Sequence, residues 1–416
     1  MLTVPEAVAQ ITSAIQPREV ERVALLDALG RVLASDAIAP YTLPQWDNSA
    51  MDGYAVRASD IEGATAENPV VLPVAETIAA GGFASRGIRA GEVMRIMTGA
   101  PLPDGADTVV RVEDTDGGVE RVSIRNTRDS RKNIRPKGED FRDGSVVIRT
   151  GTPLAAAQLG VLASLGKAEI DVYRRPVVAI AGSGDELVDL DRFDEVVAGQ
   201  KIVASNRYTL DALVRQAGGV PKHLGNAADT PDSLRAILEG SRGCDLLVTS
   251  AGASVGEYDY TRQVLESLGA ELRFWRVRMR PGAPLGFGTL DGMPWIGLPG
   301  NPVSAMVTFE LFARPVIRRM LGHTRLFRRP TAAVLEEPVA IGARLMHFLR
   351  AVTRVRDDGV LTARLTGPQG SGILTSMSQA NALLIVPEDR ARVEAGERLN
   401  VLPLSEDAQL AEEFAL

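Results

Sequence analysis

The sequence predicts a multidomain chain of α/β plus β character, with a central doubly wound α/β domain, two small β-rich domains and a helical or extended N-terminal domain. Three observations predict it. Between residues 176 and 328, apolar runs break repeatedly into small and acidic residues: PVVAIAG (176–182) before SGDEL, the run 245–248 before TSAGASVGEYDY (249–260), and 294–298 before PGNPVSA. Helical patterns beginning near Asn206, Pro231 and Asp259 alternate with these runs, the order expected of a doubly wound sheet. On either side, from Val70 to Ile148 and again after Pro330, short β-type runs alternate with turn residues.

The chain opens with Thr3, Pro5 and Glu6 at capping-box spacing ahead of Val8, Ile11 and Ile15, which predicts an amphipathic first helix. A second helical pattern covers 24–33. It leads into PYTLPQWDNSAMDGYAV (40–56), too punctuated for helix and too polar for core. VVLPVAETI, GEVMRIMTGA, ADTVVRVED and GVERVSI then read as strands of a small β-rich domain, which closes in the charged loop NIRPKGEDFRDG (133–144). A helical pattern at 153–166 precedes the α/β stretch. AAVLEEPVAI, HFLRAVTRV, VLTARLTG, ALLIVPED and ERLNVLPL form the last β-rich segment.

Open α/β sheets bind ligands beyond the carboxyl ends of their strands, so the polar strand ends are the candidate site. After the run 245–248, Gly252 and Gly256 permit close backbone approach, Ser250 and Ser254 offer hydroxyls, and Glu257 and Asp259 suit a hard cation. Asp185 and Glu186 follow the strand 176–182, and Asp229 follows 219–224 ahead of a helix marked by Thr230 and Pro231. Pro302 sits near the first turn of a further helical pattern. In ELRFWRVRMRPG (271–282), Arg276, Arg278 and Arg280 alternate with Trp275, Val277 and Met279, so a strand would set all three guanidinium groups on one face. Arginine forks match phosphate and other oxyanions, and carboxylates with Mg²⁺ suit the remaining phosphate oxygens.

Composition excludes several classes. The 416 residues, 45% of them hydrophobic, can bury several cores, but no apolar run approaches the length of a membrane span and the N-terminus lacks the layout of a secretory signal, so a cytoplasmic protein is expected. The single Cys244 rules out internal disulfides and thiolate metal cages. His223, His323 and His347 are too scattered for a zinc motif or a hydrolase triad. A net charge of −7 argues against general nucleic-acid binding, and the basic run 314–329 reads as a helix C-terminus and linker.

DNSAMDGYA, IMTGAPLPDGADTVVRVED, RPKGED, SGDEL, SAGASVGEYDY, RPGAP and GLPGNPVSA, in this order, resemble the molybdopterin molybdenumtransferase family, to which gephyrin is related. The resemblance spans nearly the whole chain. It implies insertion of molybdate into adenylylated molybdopterin with release of AMP, dependent on Mg²⁺, in a homodimer whose active site lies between subunits. It implies a helical or extended domain from 1–45 and 141–175, a β-rich domain at 46–140, a molybdopterin-binding α/β domain at 176–328 and a small β domain at 329–416. Asp52, Thr98, Asp140, Glu186, Asp229 and Asp259 take catalytic roles by this resemblance, and Asp185, Glu186, Asp229 and Asp259 hold the metal. Ser250, Gly252, Ser254, Gly256, Arg276, Arg280, Pro299, Pro302 and Ser304 bind substrate, with Arg280 and Ser304 the pair expected to meet molybdate. The chain departs from many relatives at Ala251, where they have glycine, and at Arg276, Arg280 and Ala283, where they have lysine. Two other activities fit parts of the pattern: adenylylation of molybdopterin, which would not require the two β domains, and a non-enzymatic gephyrin-like scaffold.

Overall fold

The computed structural model describes residues 1–251 and 257–405, without the side chains of 251 and 257–260. Contacts divide the chain into two compact units, one formed by 1–34, 151–155 and 169–416 and the other by 35–150 and 156–168. The first helix, α1 (Val4–Ser13), carries the expected capping box: Thr3 Oγ1 accepts the Glu6 N–H while the Glu6 carboxylate accepts the Thr3 N–H. Its apolar face, Val4, Ala7 and Ile11, is buried in the core of the α/β sheet. The expected second helix is a correction. Only Leu25–Ala28 winds, as a single 3₁₀ turn, because Val20–Ala24 is a strand paired with the distant Glu169–Tyr173.

The second unit is built on a five-stranded sheet, β1 (Gly53–Val56), β2 (Val70–Ile78), β3 (Val93–Ile96), β4 (Thr108–Arg111) and β5 (Arg121–Ile124), in the order β4-β1-β3-β2-β5. Tyr54, Val56, Val93 and Val110 form one core of this sheet, and Ala55, Met94, Ile96 and Val109 a second. That alternation follows from the period-two direction of strand side chains. A helix, α2 (Ala156–Ser164), belongs to the same unit.

In the first unit, β6 (Val177–Ser183), α3 (Ser205–Gln216), β7 (Val220–Ala227), α4 (Pro231–Glu239), β8 (Leu246–Ala251) and α5 (Glu257–Ser267) alternate as expected. The chain continues through β9 (Glu271–Arg276), β10 (Met279–Arg280), β11 (Pro284–Leu290) and β12 (Met293–Pro299). The sheet order is β7-β6-β8-β12-β11-β9, with the first four strands parallel and β11 antiparallel to both neighbours. The C-terminal ends of β6, β7, β8, β12 and β9 therefore share one edge. Trp295 fills the sheet's centre at 1% exposure and donates Nε1–H to Thr249 Oγ1 at 3.1 Å, fixing the end of β8 against β12.

After β12 the helix 302–320 runs as α6 (Pro302–Thr308), a π turn at Phe309–Ala313 and α7 (Arg314–Met320). Pro315 has no N–H for the helical ladder, and the wider turn just before it absorbs that loss. The last segment forms β13 (Thr331–Leu335), β14 (Met346–Val355), β15 (Leu361–Leu365), β16 (Ala382–Val386) and β17 (Arg398–Pro403). These five close into a barrel, β14-β15-β13-β17-β16 and back to β14, with β10 added alongside β14. Among the described residues no helix is long and apolar enough to cross a membrane.

Candidate active site

Chain order and sheet order diverge at β6. The helix after it, α3, leads to β7 on one side, while β8 lies on the other, so the crevice over β6 and β8 is the switch point of the sheet. A cavity of about 360 Å³ lies there, within the range of small-molecule sites. The end of β6 (Gly182, Ser183), Ser250 of β8, Asn206 of α3 and Pro302 of α6 line it, together with Glu186.

The strand-end carboxylates are brought together as far as the description reaches. Asp185 and Asp229 clasp reciprocally, each backbone N–H donating to the other's carboxylate at 3.2 and 3.1 Å. Each thereby keeps carboxylate oxygen free for a cation, and both are exposed. Gly184 makes the turn that sets them there. Its φ is +138°, and an added Cβ would lie 2.7 Å from the Glu186 carboxylate, so a side chain would displace Glu186 from the cavity wall. Asp259 is the third residue of α5, at the same sheet edge, with its side chain outside the description; Gly252, Ser254 and Gly256 lie outside the described residues. Among the described residues no group of three or more His, Cys, Asp or Glu could hold a metal.

The arginine stripe keeps its parity but not its strand. β9 ends at Arg276, the Val277 N–H turns to the Ala283 carbonyl at 2.9 Å, and β10 resumes in the other sheet. Val277 and Met279 are buried, whereas Arg276 and Arg280 are exposed. Arg278 pairs with Glu388 at 2.9 Å; among the described residues Arg276 and Arg280 pair with no carboxylate. Pro299 closes β12 and is buried, and Ser304 sits in the first turn of α6 at 4% exposure.

In the second unit Asp52 and Thr98 meet. The Thr98 N–H and Oγ1–H both donate to Asp52 Oδ1 at 2.7 Å, and these bonds, the backbone one first, hold the carboxyl below its ordinary pKa. Next to Asp52, Gly53 lets β1 run close against β4, since a Cβ there would stand 2.0 Å from the Val110 carbonyl. Asp140 belongs to the same unit. Its N–H donates to the Leu43 carbonyl at 3.1 Å, and its side chain is exposed.

Two contributors had no local signal in the sequence. Asn206 joins Ser250 Oγ and the Gly300 carbonyl through Nδ2, each at 2.6 Å. Arg350, in the strand-like HFLRAVTRV, is fully buried and donates to the Gln369 and Gly370 carbonyls and to Ser376 Oγ. It fastens the loop whose Gly372 lines the cavity and whose Ser371 carbonyl accepts the Val303 N–H of α6 at 3.1 Å.

A doubly wound domain with a strand-end crevice, built together with a closed β barrel, defines a multidomain small-molecule-binding protein. Comparison with known proteins names the class more closely: residues 2–166 match the MoeA N-terminal region (domain I and II), 179–319 a probable molybdopterin binding domain, and 332–404 the MoeA C-terminal region (domain IV). The chain is 41% identical over 404 residues to molybdopterin molybdenumtransferase 2 of Mycobacterium tuberculosis H37Rv, covering 96% of this chain and 98% of that protein. It is 38% identical to the molybdopterin molybdenumtransferase of a Nostoc species over 93% of this chain and 89% of that one. The molybdopterin biosynthesis moeA protein of Pyrococcus horikoshii OT3 superposes with a TM-score of 0.83 at 28% identity, covering 97% of this chain and 100% of that structure. The chain belongs to the molybdopterin molybdenumtransferase family.

Proposed function

We propose that the chain is a molybdenum insertase, a transferase that places molybdate into adenylylated molybdopterin and releases AMP, in the last step of molybdenum cofactor biosynthesis. The observation that carries this reading is the crevice at the switch point, walled by Glu186, Ser250 and Pro302, in a chain related to molybdenumtransferases over nearly its full length. In this reading the pterin occupies the cavity of about 360 Å³ and the exposed sheet edge serves the phosphates. Cleaving the pyrophosphate link develops negative charge, and Arg276 and Arg280 are the groups proposed to neutralise it, a reading supported by the fact that neither spends its guanidinium on a described carboxylate. Arg280, with the Ser304 hydroxyl, is the proposed contact for molybdate, a tetrahedral dianion.

Asp185 and Asp229 fit Mg²⁺, which favours one or two carboxylates completed by substrate phosphate and water over an all-protein cage. Glu186 and Asp259 are the further proposed ligands. When bound, the ion would supply Lewis-acid stabilisation of the phosphate oxygens. We further place the protein in the cytoplasm, as a homodimer whose active site draws on both subunits, with the four-segment division described above as its domain plan.

The test is AMP release from adenylylated molybdopterin with and without molybdate. Release that depends on molybdate supports insertion, and equal release in both arms would sink it. Product from free molybdopterin and ATP would instead identify adenylylation. Glu186→Ala should lower molybdate-dependent turnover on the order of 100-fold, the scale of a lost electrostatic contact in a transition state.

A further inference from the structure

We propose that Arg314, Arg318 and Arg328 form a binding site for a tetrahedral dianion of the phosphate or molybdate kind, at the junction of α7 with the linker 321–330 and apart from the crevice. The basic run 314–329 supplies it. Arg314 and Arg318 stand four residues apart on α7, hence on one helix face, and Glu310 precedes Arg314 by the same step. Arg328 joins them from the linker. Its Nε donates to Glu310 Oε1 at 2.8 Å, the same oxygen that Arg314 Nη1 approaches at 3.4 Å. Three guanidinium groups thus share one carboxylate, and none of the three pairs with a second carboxylate among the described residues. His323 adds no negative charge, since its Nδ1 only accepts from Arg318 Nη2 at 3.2 Å. Three positive charges against one negative leave an excess of two.

All three arginines are half-buried, where unbalanced charge is costly and calls for an anion. Burial, and after it the charges of Arg314 and Arg328, pull the Arg318 guanidinium below its ordinary value, as expected of cations gathered without enough counter-charge. Linker carbonyls hold the groups in place: that of Arg325 accepts from Nε and Nη2 of Arg318 at 3.2 and 3.0 Å, and that of Leu326 from Arg314 Nη1 at 3.3 Å. Donors are left over. Nε and Nη2 of Arg314, Nη1 of Arg318 and both Nη atoms of Arg328 make no hydrogen bond among the described residues, and none of them is shut off from water. Arginine forks match the oxygens of phosphate-like anions, and the excess of two charges selects a dianion. The site is distinct from the proposed molybdate contact, because Ser304 lies roughly 15 Å from Arg314 along the helix 302–320, at about 1.5 Å per residue.

The test is equilibrium dialysis of the full chain against radiolabelled sulfate at fixed ionic strength, with perchlorate, a tetrahedral anion of half the charge, as one competitor and molybdate and phosphate as the others. Wild type should bind sulfate, and displacing it should take at least about ten times more perchlorate than molybdate or phosphate. The better competitor of those two names the natural occupant. Arg318→Gln and Arg328→Gln should each weaken sulfate by at least about tenfold, and Glu310→Gln should tighten it by removing the cluster's negative charge. Arg325→Gln, which keeps the accepting carbonyl, should bind as wild type does. Absence of sulfate binding overturns the proposal without any variant, as does displacement by perchlorate as readily as by the dianions. Unchanged binding in both Arg318→Gln and Arg328→Gln overturns it as well. Loss of sulfate in Arg280→Ala but not in those two variants would put the ion at the proposed molybdate contact instead.

Discussion

Asp52 shows how one residue's chemistry is set by a partner far away in the chain. Its carboxylate takes two bonds from Thr98, and its backbone carbonyl accepts the Val112 N–H at 3.0 Å, so the side chain is held although it is exposed. A lowered folded-state pKa means that the native chain binds this proton less readily than the unfolded one. The associated stability is present above the ordinary carboxyl value and is lost as pH falls through the lowered one. Thr98→Val removes the hydroxyl bond and keeps the backbone one. It should move the Asp52 pKa part of the way back toward 3.8, read by a carboxyl titration in NMR; an unchanged value would remove Thr98 Oγ1 from the account. The strand-end carboxylates were legible in the sequence because Asp185 and Glu186 follow one apolar run and Asp229 follows another. Asn206 was not, since its partners lie 44 and 94 residues further on.

At the scale of elements, the helix 302–320 carries a buried charge cluster that the basic run 314–329 only partly announced. Glu310, in the π turn, is 8% exposed and contacts Arg314 at 3.4 Å and Arg328 at 2.8 Å. Within α7, Arg318 Nη2 lies 3.2 Å from Nδ1 of His323 just past the helix, a contact that asks this nitrogen to accept and hence to be unprotonated. Burial first, then Arg318 and Arg314, pull the His323 pKa down from 6.5 to about 4. Between those values the unfolded chain takes up a proton that the native chain does not, so stability should fall as pH is lowered from 6.5 toward 4. Denaturation of wild type and His323→Gln at pH 7.5 and 5 checks this: the variant should lose less stability over that interval, and equal losses would refute the histidine's part. The misread helix at 24–33 has the converse lesson. Its apolar spacing fits a helix, yet Leu26 is 82% and Leu29 56% exposed, because pairing of Val20–Ala24 with a strand about 150 residues later overrides local periodicity.

For the whole molecule, what could be read in advance was whatever depends on runs of neighbouring residues: the alternating α/β stretch, the flanking β segments and the common edge of the parallel strands. Closure of the barrel could not be read, because it rests on β14 pairing with both β15 and β16, and strand order is not written into any one strand. The passage of 271–280 from one sheet to the other was hidden in the same way by an unbroken alternation of side chains. The proposed assembly belongs to this scale, and it has a test that no single subunit can mimic. If each active site of a homodimer draws Asp52 from one subunit and Asp259 from its partner, then Asp52→Ala and Asp259→Ala proteins, each inactive alone, form a hybrid on subunit exchange in which one site carries both lesions and the other carries neither. Molybdate-dependent AMP release should then return to about one quarter of the wild-type rate per subunit, since random exchange makes half of the dimers hybrids and each hybrid has one intact site of two. Failure to regain activity in a mixture shown by mass to contain hybrids would place both residues in sites made by one chain. A chain that sediments as a monomer at assay concentration would remove the shared site altogether.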